Sequence, residues 1–222
     1  MNIAAFHGSP RKNSNSSYML QEFLRGAMEQ QAHCDEVFAG RATVTHCRGC
    51  LKCNLIQRCA IKGDDWDTLR LKILNADVLA FASPIYFHHL TSPLKKILDR
   101  FRSFMHVQIT GEGLSHRPWQ EWKKHFVLLL SQGSPDAADA KPVIDLFTFL
   151  THALGPGNSL HTIVGTRLAV SKQVAMSQDD LRSLYLKLEL PAPLADSDYE
   201  RNQTLVQSCF DLGRRLAEKN GD

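Results

Sequence analysis

The sequence predicts a doubly wound α/β fold, in which helices cover both faces of a parallel sheet of about five strands. Short, nearly continuous apolar runs recur along the chain, as expected for strands that are buried on both faces. Amphipathic segments with apolar residues at helical spacing separate those runs. Because single helices connect successive strands, right-handed crossovers and parallel pairing are favoured. We expect residues 1–222 to form a single domain, since a chain of this length can build one well-packed core.

Composition and charge exclude several classes of protein. The chain is 43% hydrophobic and 22% charged, as in ordinary globular domains. Its formal net charge is +3, with acidic and basic residues interleaved, so we expect no nucleic-acid partner. No apolar run reaches the roughly eighteen residues of a membrane helix, so we expect no membrane span. The N-terminal charge follows the apolar stretch, the reverse of a secretory signal, which favours a cytoplasmic location with reduced thiols.

The first half of the chain is predicted to begin with a strand over residues 2–8, "NIAAFHG". An amphipathic helix then extends to about Gln31, and its apolar stripe consists of Leu20, Phe23, Leu24, Ala27 and Met28. Two weaker strands are predicted over residues 35–40, "DEVFAG", and 42–46, "ATVTH". A short helix follows from Trp66, with Leu69, Ile73 and Ala76 on its apolar face.

The second half continues the alternation of strands and helices. Strands are predicted over residues 76–83, 125–131 and 161–165, of which the first, "ADVLAFAS", gives the strongest signal. Between them, Ser92 is predicted to cap a helix that has Pro93 at its first position. A further helix is predicted to open at Pro142.

Two segments lie outside this regular pattern. Residues 104–124, which contain Gly111, Gly113 and Pro118, are predicted to form an insertion or a lid. Residues 171–222 are predicted to form a helical C-terminal extension. One of its helices starts at a capping pattern of Ser177 and Asp180. The apolar stripe of another consists of Leu205, Cys209, Leu212 and Leu216.

The loop after the first strand, "GSPRKNSNSS" over residues 8–17, is a candidate phosphate site. Ligands of doubly wound sheets bind outside the carboxyl ends of the strands, which is where this loop lies. Its small polar side chains are those of Ser9, Asn13, Ser14, Asn15, Ser16 and Ser17, and its cations are Arg11 and Lys12. The N-terminus of the next helix also favours an anion. Neither G-x-x-x-x-G-K-[ST] nor G-x-G-x-x-G occurs here, so a phosphate monoester fits better than a triphosphate or pyrophosphate. The alternative is a solvated loop with a helix cap.

Four cysteines are spaced C-x2-C-x2-C-x5-C at Cys47, Cys50, Cys53 and Cys59. They span too little chain for most zinc sites, whereas three thiolates at this spacing can surround one [4Fe–4S] cluster and the fourth can complete it. Three alternatives therefore stay open, namely a [4Fe–4S] cluster, a metal-free thiol loop or disulfide, and zinc. Outside this segment, Cys34 and Cys209 are expected to be buried hydrophobic side chains.

Several of these motifs together resemble the flavodoxin-like NAD(P)H-dependent FMN reductases, particularly their iron–sulfur flavoprotein branch. The motifs are "GSPRKNSNS", the cysteine segment, Asp64 with Asp65, "ASPIYFHHLTSPLKKILDR" at 82–100 and "SQGSP" at 131–135. The resemblance covers roughly residues 1–165. It implies a flavodoxin-like three-layer sandwich with strand order 2-1-3-4-5.

The resemblance also implies a site for FMN built from three segments. The first loop would hold the phosphate, the turn after the third strand would follow the isoalloxazine edge with backbone N–H groups reaching N5 and O4, and the end of the fourth strand would complete the ring site. The implied residues are Ser9, Arg11, Asn13, Ser14, Asn15, Ser16, Pro84, Ile85, Tyr86, Phe87, Ser131, Gln132 and Gly133. No catalytic side chain is implied, because the redox chemistry belongs to the cofactor. The neighbouring His88 and His89 are assigned no certain role.

The function implied is that of an FMN-dependent oxidoreductase, acting as a homodimer or homotetramer. It would take electrons from NADH or NADPH as co-substrate, or from a ferredoxin if the cysteines hold a cluster. It would pass them to a small-molecule acceptor such as a quinone or a free flavin. Two alternatives stay open, namely an iron–sulfur flavoprotein that carries electrons between protein partners and a non-redox regulatory protein whose cysteines bind zinc.

Overall fold

A five-stranded parallel sheet forms the centre of the structure, a computed structural model that describes residues 1–218. The seven strands are β1 (Asn2–His7), β2 (His33–Phe38), β3 (Val78–Pro84), β4 (Met105–Thr110), β5 (Gly113–Pro118), β6 (His125–Ser131) and β7 (Ser159–Gly165). The sheet has the order β2-β1-β3-β6-β7, while β4 and β5 form a separate antiparallel hairpin. The predicted flavodoxin-like order 2-1-3-4-5 is therefore confirmed, with β6 and β7 as its fourth and fifth strands.

Helices cover both faces of this sheet. They are α1 (Asn15–Glu29), α2 (Cys53–Ile56), α3 (Trp66–Asn75), α4 (Ser92–Arg100), α5 (Lys141–Leu154), α6 (Gln178–Lys187) and α7 (Ala192–Ala217). Side chains of α3, α4 and α5 join the core on one face, and those of α1 and α7 join the core on the other. Among the described residues, no helix is long and apolar enough to cross a membrane.

The alternation of side chains along each strand separates the two cores. On β3, Leu79 and Phe81 belong to one core, whereas Val78 and Ala80 belong to the other. All four are fully buried, which explains why this strand reads as a continuous apolar run. Phe81 is stacked on Phe6 of β1 with ring centroids 5.0 Å apart.

Three details differ from the sequence predictions. Residues 42–46 form no strand, because Asp65 and Asp64 side chains accept the N–H groups of Thr43 and Thr45, at 2.7 and 2.9 Å. Ser92 is the first residue of α4 rather than its cap, which is Thr91 in an extended conformation.

The third difference concerns Cys34. It is only partly buried because β2 is an edge strand of the sheet. Cys209, in contrast, is fully buried on α7 as predicted.

The segment 104–124 contains the β4–β5 hairpin, which is tied to the cysteine segment. The Asn54 side chain of α2 donates to Val107 O at 2.7 Å and accepts from Val107 N–H at 3.1 Å, as a neighbouring strand would. The C-terminal segment from residue 171 contains α6 and α7. The last part of the predicted helical extension, residues 219–222, lies outside the described residues.

Candidate functional site

A cleft of about 180 Å³ opens where β1, β3 and β6 end. It brings together most of the residues predicted to bind a cofactor, namely Ser9, Arg11, Ser14, Asn15, Pro84, Ile85, Tyr86, Ser131, Gln132 and Gly133. We call this cavity the first cleft. Its volume is below the roughly 300–1,000 Å³ of enclosed ligand pockets, so a ligand of cofactor size would keep one side open to solvent.

Three predicted residues lie outside the first cleft. Asn13 faces away from it and lines a second cavity on the far side of the loop. The Ser16 side chain is completely buried, whereas Phe87 is completely exposed. Any contact from Ser16 to a ligand would therefore have to come from its backbone.

The loop after β1 presents unpaired N–H groups at the start of α1. Ser14 caps the helix, since its Oγ accepts from Ser17 N–H at 3.1 Å. Within the described residues, the N–H groups of Asn15 and Ser16 in the first turn have no protein acceptor. Arg11 lies beside them with an exposed side chain, and its own N–H donates to Ser9 Oγ at 3.1 Å. Free N–H groups at the positive end of a helix, with a cation alongside, suit a phosphate.

The Asn15 side chain has a structural task that the sequence did not reveal. Its amide donates to Leu168 O at 3.1 Å and Val170 O at 2.9 Å, and its Oδ1 accepts from Val174 N–H at 3.0 Å. These bonds attach α1 to the segment 166–175, which follows β7. The side chain is therefore fully engaged, and the backbone N–H is the group that Asn15 can offer to a ligand.

The turn after β3 is held in a strained backbone conformation. Ile85 N–H donates to Ser131 O at 2.8 Å, and Tyr86 N–H donates to His89 O at 2.9 Å. Phe87 and His88 have φ angles of 48° and 60°, a region that costs a non-glycine residue about 1–3 kcal/mol. The N–H groups of Ile85 and Tyr86 are thus already bonded. In the described structure, that of Phe87 has no acceptor and remains available to a flavin edge.

Gln132 presents a buried acceptor without a donor. Its Nε2 donates to Asp136 O at 2.5 Å, but its Oε1 has no hydrogen-bond partner in the part of the chain that the structure describes. An unsatisfied buried polar atom costs about 1–3 kcal/mol, so a ligand N–H group at this position would stabilise the site. A flavin ring carries such an N–H group, and the residues of the first cleft therefore fit FMN.

The four predicted cysteine ligands surround a third, much smaller cavity together with Arg100 and Arg102. Cys53 and Cys59 are buried, and none of the four is in a disulfide. Within residues 1–218, no three His, Cys, Asp or Glu side chains are gathered closely enough to hold a metal ion. The thiols thus lie around one cavity without the closer arrangement that a metal would require.

Unsatisfied arginine nitrogens point to an anionic partner at the cysteine cavity. Arg100 Nε and Nη2 and Arg102 Nη2 are buried and have no acceptor within residues 1–218. Arg102 Nη1 lies 3.9 Å from Cys53 Sγ. Burial raises the pKa of the Cys53 thiol, and the charge of Arg102 offsets this only in part. Asp64 already pairs with Arg100, so a neutral thiol leaves the Arg102 guanidinium without a counter-charge among the described residues, and a thiolate-ligated cluster would supply it.

The remaining side chains considered from the sequence have structural partners. Arg100 forms a buried ion pair with Asp64 at 2.7 Å, while Asp99 pairs with Lys95 at 2.6 Å. His89 Nδ1 accepts the N–H of Leu90 at 2.9 Å, which stabilises the turn. Asp99 and Arg100 therefore act in separate ion pairs rather than with each other.

A model of the NADPH-dependent FMN reductase family matches residues 1–173. The chain belongs to this family. The resemblance found in the sequence is thereby confirmed. Curated relatives of this family member include an iron–sulfur flavoprotein from Archaeoglobus fulgidus, 29% identical over 48% of the chain and 48% of the relative. Another, from Methanosarcina thermophila, is 33% identical over 45% of the chain and 52% of the relative. The chain spans about half the length of these curated relatives.

Solved structures agree with the flavodoxin-like fold of this FMN reductase family member. The NAD(P)H:quinone oxidoreductase from Methanothermobacter marburgensis superposes with a TM-score of 0.65 at 18% identity, covering 97% of this chain and 98% of that one. An FMN-dependent NADH-azoreductase from Bacillus anthracis, solved in complex with FMN, has a TM-score of 0.58 at 13% identity and covers 98% of each chain. At such identities the likeness establishes the fold.

The segment 166–175 lines the first cleft but was missed in the sequence. Leu168, Ala169 and Ser171 contribute to the lining. The same rule that singled out the other loops applies here, because this segment follows the carboxyl end of β7. It is anchored by Arg167, which donates to the buried Asp198 of α7 at 2.7–2.9 Å. Burial tends to raise the pKa of Asp198, but hydrogen bonds from Arg167 and Tyr185 outweigh it and lower that pKa.

Proposed function

We propose that this family member is an FMN-dependent oxidoreductase that takes electrons from NAD(P)H and passes them to a small acceptor such as a quinone or a flavin. The observation that carries the proposal is the first cleft, where a phosphate-type loop, a strained turn and the end of β6 meet. The family match over residues 1–173 supports FMN and a reduced nicotinamide as its ligands.

The chain would bind and orient the cofactor with groups that lack partners among the described residues. The N–H groups of Asn15 and Ser16 would receive the phosphate, with Arg11 alongside. Gln132 Oε1 would accept from the flavin ring, and Phe87 N–H would donate to its edge. When bound, FMN supplies the redox chemistry, since it accepts electrons from nicotinamide and releases them to an acceptor. The open side of the cleft would admit both substrates in turn.

A comparison of FMN with riboflavin tests this assignment. We expect the purified protein to bind FMN and to oxidise NADPH or NADH when a quinone is present. Arg11→Gln should weaken FMN binding about tenfold, because one charge-assisted hydrogen bond to phosphate is lost. The same variant should bind riboflavin as the unaltered protein does, since riboflavin has no phosphate. Arg117→Gln, at an exposed position on the hairpin, is the matched control. A protein that neither contains nor rebinds FMN would contradict the proposal.

We further propose that Cys47, Cys50, Cys53 and Cys59 hold a [4Fe–4S] cluster, for which the thiols would have to come closer together than they lie within residues 1–218. The unsatisfied nitrogens of Arg100 and Arg102 beside these thiols support it, as does the cysteine spacing. The two curated relatives described above both carry the name iron–sulfur flavoprotein, which agrees with this assignment. With a cluster, the protein could take electrons from a ferredoxin or act as an electron carrier between protein partners.

Cysteine variants test the cluster independently of the flavin. After anaerobic reconstitution, we expect iron and inorganic sulfide in the unaltered protein and a loss of both in Cys53→Ser and Cys59→Ser. Cys209→Ser, which removes a buried thiol far along the chain, should keep the iron. Zinc in place of iron would support the zinc-binding regulatory alternative. FMN without either metal would contradict the cluster and leave only the oxidoreductase proposal.

A homodimer or homotetramer in the cytoplasm completes the proposal. Leu55 on α2 and Ile109 on β4 are each 84% exposed, and the Asn54 bonds hold these two elements together. Exposed apolar side chains of this kind favour a subunit contact. Light scattering during size-exclusion chromatography would give the mass, and a monomer at all concentrations would contradict this part.

A further inference from the structure

A larger cavity lies on the other side of the loop that follows β1. This second cleft has a volume of about 550 Å³, within the range typical of small-molecule sites. It is lined by His7, Lys12, Asn13, Ser14, Ser17, Tyr18, Gln21, Phe38, Arg41, Lys172 and Ala175. Ser14 lines both clefts, so the two cavities share one wall. Nothing in the proposed FMN site uses the second cleft.

Three cations from separate segments meet at the second cleft. Lys12 comes from the loop after β1, Arg41 from the turn after β2, and Lys172 from the segment after β7. Among the described residues, none of the three forms an ion pair with a carboxylate. The acidic side chain that contacts the lining, Glu36, accepts from Gln21 Nε2 at 2.7 Å and is 2.7 Å from His7 Nε2. The cations are therefore free to bind an anion.

Aromatic side chains form an apolar surface next to these cations. Phe38 is stacked on the buried His7 ring, with centroids 4.3 Å apart and planes at 7°. The Arg41 guanidinium lies 4.9 Å from the centroid of the Phe38 ring. Phe38 is 38% exposed and Tyr18 is 37% exposed. Because His7 covers one face of Phe38, a nucleobase would lie against the exposed part of Phe38 and against Tyr18, and guanidinium groups bind phosphate in fixed geometry.

His7 gives this surface a fixed position. Its Nδ1 is 3.3 Å from Ser17 Oγ on α1, and its Nε2 is bonded to Glu36 on β2. The ring is thus held between two elements of the fold and cannot turn away from Phe38. A cleft that combines a fixed aromatic surface with three cations suits a ligand that has both a flat ring and a phosphate.

We propose that the second cleft binds a phosphorylated adenosine, with its base against Phe38 and Tyr18 and its phosphate at Lys12, Arg41 and Lys172. The inference deepens the proposed function and rests on it for the source of the ligand, which is NADPH. Because the clefts share the Ser14 wall, a dinucleotide with its nicotinamide at the first cleft can cross the loop and reach the second. The 2′-phosphate of NADPH, which NADH lacks, then meets the three cations.

Calorimetry on the FMN-loaded protein tests the inference, with 2′,5′-ADP and 5′-AMP as the probes. We expect 2′,5′-ADP to bind at least about tenfold more tightly than 5′-AMP, because charge-assisted contacts to the second phosphate are added. Arg41→Gln and Lys172→Gln should each weaken 2′,5′-ADP binding about tenfold. Arg117→Gln and Lys187→Gln, at exposed positions away from the second cleft, are the matched controls and should bind as the unaltered protein does.

Each of the other possible results overturns one defined part of the inference. Equal affinity for the two probes would overturn NADPH as the source and point to a free nucleotide. No binding of 2′,5′-ADP, or unchanged binding by both cleft variants, would overturn the site itself. FMN content and turnover with NADH are measured on the same unaltered sample. If both are present without 2′,5′-ADP binding, this inference alone fails, whereas a sample that does not bind FMN contradicts the proposed function.

Discussion

The Asp64–Arg100 ion pair shows how single residues link the cysteine segment to the sheet. Both side chains are buried, and Arg100 Nη1 lies 2.7 Å from Asp64 Oδ2. Arg100 also donates to Thr45 O at 2.8 Å, while Asp64 accepts Thr45 N–H at 2.9 Å. These bonds attach the chain just before Cys47 to the end of α4. The pair therefore positions the first cysteine as well as stabilising the core.

We expect Asp64→Asn to lower the free energy of unfolding by about 3–5 kcal/mol, because it leaves the buried Arg100 charge uncompensated. Burial tends to raise the pKa of Asp64, but hydrogen bonds from Arg100, Thr45 and Trp66 outweigh it, so that pKa is lowered. Since the folded-state pKa is lowered, the stabilisation is present above the unfolded value of about 4 and is lost as the pH falls below it.

Urea unfolding at pH 7 and at a series of values below 4 measures this effect. The difference between Asp64→Asn and the unaltered protein should be full at pH 7 and should shrink in acid. Asp67→Asn is the matched control, because Asp67 forms an exposed pair with Lys62 and should change stability by no more than about 1 kcal/mol. Equal effects of the two substitutions at pH 7 would be incompatible with a buried ion pair.

At the scale of elements, helices α1 and α7 pack closely against each other. The close approach occurs at two glycines, one on each helix. A Cβ atom at Gly26 would collide with the carbonyl oxygen of Phe210, and one at Gly213 would collide with that of Phe23. The contact is reciprocal, so each helix needs a glycine where the backbone of the other passes. This packing places α7 over the face of the sheet that α1 covers, and α7 carries the Asp198 that anchors the segment 166–175.

We expect Gly213→Ala to destabilise the protein by about 1–3 kcal/mol or more, because the helices must move apart. At an open helical position the same change would instead stabilise by about 0.5–1 kcal/mol. Denaturant unfolding shows directly whether Gly213→Ala raises or lowers the free energy of unfolding. Gly40→Ala is the control for the substitution itself, since nothing lies within 4 Å of the added carbon there. A stabilised Gly213→Ala variant would show that the helices do not pack this closely.

Sequence patterns predicted the helices and strands whose buried residues recur at regular spacing. They failed at segments whose backbone is hydrogen-bonded by side chains instead of by a neighbouring strand. Strands such as β3 are apolar throughout because both of their faces are covered. The segment 42–46 has a strand-like composition, but Asp64 and Asp65 bind its backbone from outside any sheet. The β4–β5 hairpin could not be predicted from apolar periodicity, because much of it is exposed and one of its strands is paired by the Asn54 side chain.

For the whole molecule, the sheet order determined which functional residues could be predicted. The loops after β1, β3 and β6 end at adjacent positions of the same edge, so polar motifs there could be assigned to one site without coordinates. The second cleft could not be assigned in this way. Lys12 was predicted to belong to the phosphate loop, whereas Arg41 and Lys172 belong to no motif, and only the folded positions of α1, β2 and the segment 166–175 bring the three together.

The dependence of the free energy of unfolding on pH tests the whole molecule. It depends on two partly buried histidines that link β6 and β7. Burial lowers the pKa of His125. Burial also lowers the pKa of His161, and the charges of His125 and Arg215 lower it further. His125 Nδ1 lies 2.7 Å from Ser159 Oγ, so the two strands are linked through these side chains. In the unfolded chain, the same histidines take up protons near pH 6.5.

We therefore expect the free energy of unfolding to fall as the pH is lowered through about 6.5, before the carboxylates begin to protonate. Between the unfolded and the lowered folded pKa, the unfolded chain binds more protons than the folded one, so acid favours unfolding. Denaturant unfolding at intervals between pH 8 and pH 5 measures the slope. The double variant His125→Gln/His161→Gln should flatten it, whereas His152→Gln, at an exposed position on α5, controls for the loss of a histidine. A slope that stays unchanged in the double variant would mean that these two histidines are protonated equally in the folded and unfolded chains.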